Sequence, residues 1–382
     1  MTRRPETTAP VVGVIGGGQL ARMMYQAAIP LGIELRIFAA DEGDAGTRVA
    51  RTSTIGDWHD ASALRSFAEG CDVVTFDHEL VDPTTVRALE DAGVVVRPGS
   101  STLAVAADKA RQRRLCQALA IPAPPHALAT SSAEAIEAVS RFGYPVVAKV
   151  SRGGFDGRGV WWLHHDDEVR SLFEALPAET VVIIEPALAI DAELATLVAR
   201  HPDGTMVHYP VVRTHQVDGI CVSLEAPADI PPHLEAQARA WAASIADAVG
   251  AVGILAVEYF VIAGHLFVNE LAPRPHNSGH YSIDACITSQ FENHLRAVLG
   301  WPLGSADLQV DAAAMANLIG FPLDGAAVEH LVADPRAKVH VYEKADRPGR
   351  KVGHLTMCGI NRAELHDRVR SLAAECVRAG VA

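Results

Sequence analysis

The sequence predicts an α/β (α+β) chain, with a parallel-sheet unit at its N-terminal end and antiparallel β structure carrying the chemistry further on. Two observations predict this. Over the first hundred residues, short apolar runs alternate with helix-length stretches, the rhythm of βαβ units. Later, apolar runs are joined by glycine-containing turns too short for a crossover helix, which implies hairpins. With 382 residues, 49% of them hydrophobic, the chain has material for several cores, and its length suggests two or three domains.

In order, strands are expected at 11–15, 33–38, 73–76 and 94–96, with helices at 19–31, 61–68 and 83–92. The first strand runs into Gly16-Gly17-Gly18-Gln19-Leu20-Ala21, which fits the G-x-G-x-x-A dinucleotide fingerprint, and Asp41 lies at about the distance that meets a ribose. Such a turn also suits any ligand phosphate brought to a helix N-terminus. Pro98-Gly99-Ser100 closes the unit. A basic helix follows at 108–118, containing Lys109, Arg111, Arg113 and Arg114, and Pro122, Pro124 and Pro125 punctuate what comes next.

A second β/α block opens with a helix at 132–141 and a strand at 145–150 that bears Lys149. Ser151-Arg152-Gly153-Gly154-Phe155-Asp156-Gly157-Arg158-Gly159 then turns directly into a strand at 160–163. Glycines between two strands let backbone amides approach phosphates. A Walker loop would lead into a helix and carry Gly-Lys-Ser/Thr, and none is present. A lysine on an apolar strand is costly in a plain hairpin and sensible beside a nucleotide. The apolar strand at 181–188 ends in Glu185-Pro186, where backbone groups can meet an adenine edge, with Glu193 just beyond for ribose hydroxyls. Strands at 193–200 and 205–212 and a helix at 234–249 follow, and a final unit has strands near 314–319, 338–342 and 353–356 and a helix at 362–378.

The most informative segment lies between these. Strands at 254–261 and 265–268 flank the Ala263-Gly264 turn, so Glu258 and the Asn269-Glu270 pair can face one cavity. Two carboxylates and an amide oxygen suit a hard cation, and Mg²⁺, usually completed by substrate phosphates, is the natural candidate. The alternative is a hairpin with solvated acids. Downstream, Arg274, His276, Asn277 and His280 add anion-binding and proton-handling groups on a loop that reads as too polar for a core.

Composition narrows the function classes. A net charge of −13 with no basic patch argues against a nucleic-acid surface. Six cysteines without C-x-x-C spacing read as reduced thiols, no apolar run approaches a membrane span, and the first residues lack a signal sequence, so a cytoplasmic location without a membrane partner is expected.

The order of parts resembles the ATP-grasp superfamily. Within it, Gly17-Gly18-Gln19-Leu20-Ala21-Arg22-Met23, the run from Gly153 to Gly159, Asn269-Glu270-Leu271-Ala272-Pro273-Arg274 with His276-Asn277-Ser278-Gly279-His280, and Arg347-Pro348-Gly349-Arg350-Lys351-Val352-Gly353-His354 are similar to the PurK family of N5-carboxyaminoimidazole ribonucleotide synthetases. The resemblance spans about 11–357. It implies an ATP-grasp fold divided into an N-terminal Rossmann-like parallel-sheet domain at 11–104, a lid subdomain at 105–186, an Mg²⁺/ATP-binding subdomain at 187–306 and a small C-terminal domain at 307–382. It also implies a ligase that uses ATP to phosphorylate bicarbonate to carboxyphosphate and carboxylates the exocyclic amine of 5-aminoimidazole ribonucleotide, and a homodimer.

Carried over residue by residue, the resemblance places ATP on Lys109, Lys149, Gly154, Phe155, Asp156, Gly157, Arg158, Gly159, Glu185, Leu188, Glu193, Gln216, Asn269 and Glu270. Mg²⁺ falls on Glu258 and Glu270. The aminoimidazole nucleotide falls on Gly18, Gln19, Leu20, Glu79, Lys344, Arg350 and Lys351, and the reacting centre on Arg274, His276, Asn277, Asp156 and Arg158. The chain departs from the family in four places: Phe155 replaces a usual tyrosine, Arg213 stands at an often acidic position, Gln216 at a common histidine, and Lys109 at an arginine of some relatives. Competing readings are another ATP-grasp ligase, such as a formate-dependent ribonucleotide transformylase, a nicotinamide-dependent oxidoreductase using the first glycine turn, and a non-catalytic nucleotide sensor.

Overall fold

The computed structural model describes residues 9–154, 159–344 and 347–379. The N-terminal strands β1 (Val11–Ile15), β2 (Glu34–Ala39), β3 (Thr52–Ile55) and β4 (Val73–Phe76) form a parallel sheet in the order β3-β2-β1-β4. Every residue of β1 and β4 is buried, as expected for strands covered on both faces. The edge strand β3, Thr-Ser-Thr-Ile, is exposed throughout and has no apolar pattern, so the sequence reading passed over it. The strand expected at 94–96 is reduced to one bridge, Val74 to Val96, and the first helix, Gln19–Ala28, stops ahead of Pro30, which has no N–H to continue it.

A small antiparallel sheet follows, with β5 (Ala127–Ala129), β6 (Val146–Val150), β7 (Val160–Leu163) and β8 (Val182–Pro186) in the order β5-β8-β6-β7. In its register Lys149 pairs with Ile183 and Val147 with Glu185, which puts Lys149 and Glu185 diagonally on one face.

The large sheet has nine strands among the described residues. β9 (Ala192–Arg200), β10 (Met206–His208), β11 (Val212–Val217), β12 (Ile220–Ala226), β13 (Gly253–Ile262) and β14 (His265–Ala272) join β15 (Ala312–Ile319), β16 (Lys338–Val341) and β17 (Lys351–Gly359) in the order β14-β13-β9-β11-β12-β15-β17-β16, with β10 on β9. The strand expected at 205–212 is broken into β10 and β11, because Pro210 cannot donate to a ladder. Pairing of Ser223 with Ala316 makes the last three strands a continuation of the central sheet.

Two helices cover this sheet. Pro232–Ala248 packs Leu234, Ala238, Ala242 and Ile245 against Leu255, Val257 and Tyr259, and the Tyr259 hydroxyl donates to the Ala238 carbonyl at 2.7 Å. Arg362–Ala379 packs Leu365, Val369 and Leu372 against Ala314, Leu355 and Met357.

A third helix, Gln290–Leu299, was not expected from sequence, yet it fastens the N-terminal unit to the rest. Its Phe291, Leu295 and Val298 join Val12, Val14, Leu20 and Ile37 in one core, each such burial being worth roughly 1.5–3 kcal/mol. Its fully buried His294 accepts from the Ile254 N–H through Nδ1 at 3.1 Å and so donates through Nε2 to Thr75 Oγ1 at 2.8 Å, which links β13 to β4. Among the described residues no helix is long and apolar enough to cross a membrane.

Candidate active site

The acidic hairpin is as the sequence suggested, with one refinement. Glu258 on β13 is the register partner of Glu270 on β14, and Tyr259 then pairs with Val268, so Asn269 is the extra residue of a β-bulge. Bulges bend a strand and re-aim side chains. Glu193 on β9 pairs with Phe260 and belongs to the same cluster.

These acids crowd one another. Burial first, then the charges of Glu270 and Glu193, push the Glu258 carboxyl up to about 8, and burial pushes Glu193 up to about 7 against the pull of Lys149. Such a set is held ionised only by a cation, and oxygen donors of this kind fit Mg²⁺. Lys109 contacts Glu270 through its Nζ.

The lysine strand is tied to this cluster by a buried charge network. Glu185 is 3% exposed; its Oε2 lies 2.7 Å from Lys149 Nζ and its Oε1 accepts from Arg113 Nη2 at 2.7 Å and Nε at 3.2 Å. Burial alone would raise the Glu185 carboxyl, but Lys149 and Arg113 outweigh it and hold it below the ordinary range. Arg113 Nη1 also donates to the Asn269 carbonyl at 2.8 Å. The arginine therefore connects β8 to the bulge itself.

Glu185 thus acts through its carboxylate on Lys149, while the adenine-edge expectation concerns the backbone groups at the end of this strand. Arg113 was read only as part of a basic helix, because its partners are 72 and 156 residues away. Leu188 is half-buried just beyond β8, and Gln216 lies on β11 at a register irregularity opposite Cys221.

The base of the glycine-rich loop is anchored by Asp108, the N-cap of helix Lys109–Ala118. Its Oδ1 accepts from the N–H groups of Ala110 and Arg111 and from Ser151 Oγ at 2.6 Å, and its Oδ2 accepts from Arg152 Nε at 2.9 Å. Gly153 and Gly159 have φ of +77° and +72°, which favours glycine at both ends of the loop. Phe155, Asp156, Gly157 and Arg158 lie outside the described residues. A cleft lined by Glu79, Lys109, Ser151, Gly153, Gly154 and Glu270 brings the N-terminal unit, the loop and the acidic hairpin together.

Beyond the hairpin, Arg274 grips Glu79 with two bonds, Nε to Oε2 at 2.5 Å and Nη2 to Oε1 at 3.0 Å. Burial would raise the Glu79 carboxyl, and the Arg274 fork reverses this and holds it low. His276 receives the Ser278 N–H on Nδ1 at 3.3 Å, so its neutral ring carries the proton on Nε2, which lies 3.6 Å from Glu258 Oε1. Asn277 and Asn317 exchange two amide bonds at 2.9 and 2.8 Å.

The loop is not uniformly solvated, which corrects the sequence reading of it. His280 is fully buried, and burial drives its basicity well below that of an ordinary imidazole. Gln290, also fully buried, accepts from the His276 N–H at 2.8 Å and donates to the His276 carbonyl at 2.8 Å and to His280 Nδ1 at 2.9 Å. Neither Gln290 nor Asn317 falls within a motif read in the sequence.

At the N-terminal glycine turn, a carboxylate already occupies the anion position. Gly18 N–H donates to Asp77 Oδ2 at 2.5 Å, and a Cβ on Gly16, where φ is +110°, would stand 1.7 Å from Asp77 Oδ1. A dinucleotide pyrophosphate would meet that negative charge. Asp41 accepts from the Gly43 N–H at 2.6 Å in its own turn. The nicotinamide reading of this turn therefore loses its basis.

Its neighbours point elsewhere. Gln19 meets Lys344 Nζ, and Arg22 pairs with Glu343 at 2.8 Å, so the segment after β16 docks on the start of the first helix. The Leu20 side chain is core, leaving only its backbone for a ligand. Lys351 begins β17, is 9% exposed and acts electrostatically on Glu258; Arg350, beside it, is half-buried.

Comparison with known proteins gives matches along the chain. Residues 10–107 match the ribonucleotide synthetase preATP-grasp domain, residues 114–291 the ATP-grasp domain, and residues 313–368 the phosphoribosylaminoimidazole carboxylase C-terminal domain. The N5-carboxyaminoimidazole ribonucleotide synthase of Mycobacterium bovis is 43% identical, covering 97% of this chain and 90% of the relative. That of Synechococcus elongatus is 39% identical, covering 95% and 94%. The solved structure of the Aspergillus clavatus synthase in complex with ADP and 5-aminoimidazole ribonucleotide superposes with a TM-score of 0.88 at 29% identity, covering 97% of this chain and 99% of that one.

Proposed function

Since the chain belongs to the N5-carboxyaminoimidazole ribonucleotide synthase family, with its preATP-grasp, ATP-grasp and C-terminal domains, we propose how its own residues perform that family's reaction. The enzyme is a ligase that binds ATP and converts 5-aminoimidazole ribonucleotide to N5-carboxyaminoimidazole ribonucleotide in purine biosynthesis. The finer steps below are supported by the geometry around Glu258 and Glu270.

Glu258 and Glu270, with Asn269 beside them, would hold Mg²⁺, which would supply charge neutralisation to the triphosphate. Lys149, oriented by Glu185, and Lys109, set beside Glu270, place two further positive charges at the phosphates. The amides of Gly153 and Gly154 cover them. A bicarbonate oxygen attacks the terminal phosphorus, the bond to the ADP oxygen breaks, and carboxyphosphate forms.

The amine nitrogen then attacks the carboxyl carbon, the carbon–oxygen bond to phosphate breaks, and the amine proton leaves with the phosphate. His276, protonated on Nε2, serves as a hydrogen-bond donor to the carboxyl group, and Arg274 supplies the nearby positive charge. Gln19 and Lys344 meet where the N-terminal and C-terminal segments come together, and with Arg350 and Lys351 further along the same C-terminal segment they suit the monophosphate of the aminoimidazole nucleotide. The division of the chain near 104, 186 and 306 is part of the same proposal, as are a homodimer and a cytoplasmic location. The dimer rests on family resemblance and is checked by light scattering. The location rests on six cysteines, none in a disulfide.

The observation that carries the reading is the register pairing of Glu258 with Glu270 at the cleft reached by Lys109 and the glycine-rich loop. The test is ADP release. Bicarbonate plus 5-aminoimidazole ribonucleotide should support it, and formate plus glycinamide ribonucleotide should not; the reverse pattern would assign a transformylase.

A further inference from the structure

On the face of β11 and β12 covered by the C-terminal helix, three side chains converge that the reaction does not use. In the register, His215 on β11 lies opposite Ser223 on β12, so Glu225 is its diagonal neighbour on the same face. His366 of helix Arg362–Ala379 covers them, its ring stacked on that of His215 with centroids 4.3 Å apart.

The donor atoms aim at one point. His215 Nε2 lies 2.8 Å from Glu225 Oε1, and His366 Nδ1 lies 3.6 Å from the same oxygen. All three ligand atoms fall within 4.8 Å of one another. A tetrahedral ion with bonds of about 2.0–2.2 Å needs neighbouring donors roughly 3.3–3.5 Å apart, and the two distances lie on either side of that value.

Two further features suit a metal. The second ring nitrogen of His366, Nε2, lies 2.9 Å from the fully buried Ser223 Oγ, an outer contact of the kind that orients a histidine ligand. At 3.6 Å the His366 Nδ1 to Glu225 contact is too long for a hydrogen bond, which leaves a gap between the two ligand atoms. The His215, Glu225 and His366 side chains are 35%, 15% and 9% exposed, which leaves the fourth position open toward His215.

Other charges near the cluster are Arg213, the register partner of Glu225, Arg362, 3.5 Å from Glu225 Oε2 and 3.0 Å from Asp229, and Arg370 and Asp367 on the same helix. Arg362 sits on the second oxygen of Glu225 and leaves Oε1 to the histidines.

We propose that His215, Glu225 and His366 form a binding site for a zinc-class divalent transition metal that fastens the C-terminal helix to the central sheet. Two imidazoles and one carboxylate favour such an ion over Mg²⁺, so this site differs in chemistry from the acidic hairpin.

The test is calorimetric titration of Zn²⁺ into the full chain, with excess Mg²⁺ present to occupy oxygen-donor sites, alongside thermal melts with and without Zn²⁺. One tight equivalent is expected, with a raised Tm. Ser223→Ala should weaken it by about 10- to 100-fold, the cost of losing an outer contact, and His215→Gln or Glu225→Gln by more. Unchanged zinc-free melting of the partly exposed His215→Gln variant shows that its fold is intact. Equal Zn²⁺ affinity and stoichiometry in the wild type, His215→Gln and Glu225→Gln would overturn the proposal, as would the absence of any tight equivalent in the wild type.

Discussion

Arg113 Nη2 stands 2.7 Å from Glu185 Oε1 in a setting almost closed to water, and the same guanidinium holds the carbonyl of Asn269 at the bulge. A residue of a helix that reads as merely basic thus sets the distance between the lysine strand and the acidic hairpin. Arg113→Ala leaves Glu185 with Lys149 alone and should cost about 3–5 kcal/mol of stability. Arg113→Lys keeps the charge and loses the fork, so it should cost less and still impair turnover. Urea denaturation with kcat measurement checks both; wild-type stability of the alanine variant would show that the network is not structural.

Cation binding at the hairpin should be linked to protons. With no cation present, Glu258, raised to about 8, is largely protonated at neutral pH and Glu193, raised to about 7, is about half protonated; cation binding requires Glu258 ionised and favours the ionised form of Glu193 beside it. Protons should therefore be released when Mg²⁺–ADP binds at pH 7, and affinity should rise with pH until about 8. Calorimetry in buffers of different ionisation enthalpy reads this directly. Glu258→Gln should remove most of the release, and wild-type binding with no buffer dependence would contradict the linkage.

On the proposal that Arg350 anchors the monophosphate of the substrate, away from the reacting amine, its loss should bear on binding rather than on the chemical step. Losing a charge-assisted bond worth about 1.5–3 kcal/mol should raise the KM for 5-aminoimidazole ribonucleotide by roughly 10- to 100-fold in Arg350→Ala, with kcat little changed. Steady-state kinetics decide. A lowered kcat at unchanged KM would move Arg350 to the chemical centre.

The buried histidines should make the protein sensitive to acid. Burial lowers His294 to about 3 from an ordinary 6.5, and the ring is held neutral between Ile254 and Thr75. Between those values the unfolded chain binds the proton that the folded one refuses. The stabilisation from this group is complete above about 6.5 and falls by about 1.4 kcal/mol per pH unit as the pH drops toward 3. Denaturation followed from pH 7 to 4 should show this fall, with a shallower slope in His294→Gln; identical slopes would remove His294 as its source.

Much of the fold and the acidic centre was legible because it rests on local signals. The alternating apolar pattern around Ala263-Gly264 is enough to bring Glu258 and Glu270 together, and the glycines at 153 and 159 mark the ends of the loop. What escaped depends on distant partners. β3 has no apolar pattern and forms only because β2 offers it an edge. Helix Gln290–Leu299 mixes Asn293 and His294 with Phe291 and Leu295, since part of its buried face hydrogen-bonds to two other units, and this weakens the apolar stripe. His280 looks like a loop residue and is core, satisfied at Nδ1 by Gln290. The first glycine turn has the sequence of an anion site, but Asp77, about sixty residues on, supplies the anion from within the protein.

The most direct test of the account is ADP release by Glu270→Gln, assayed with bicarbonate, 5-aminoimidazole ribonucleotide and Mg²⁺–ATP, beside a thermal melt of the same variant. Removing one carboxylate from the paired acids at the cleft should lower turnover by at least about 100-fold, roughly 2.7 kcal/mol, while the melt stays close to that of the wild type. Turnover near the wild-type rate in a folded variant would remove Glu270 from the nucleotide site and contradict the mechanism built on it.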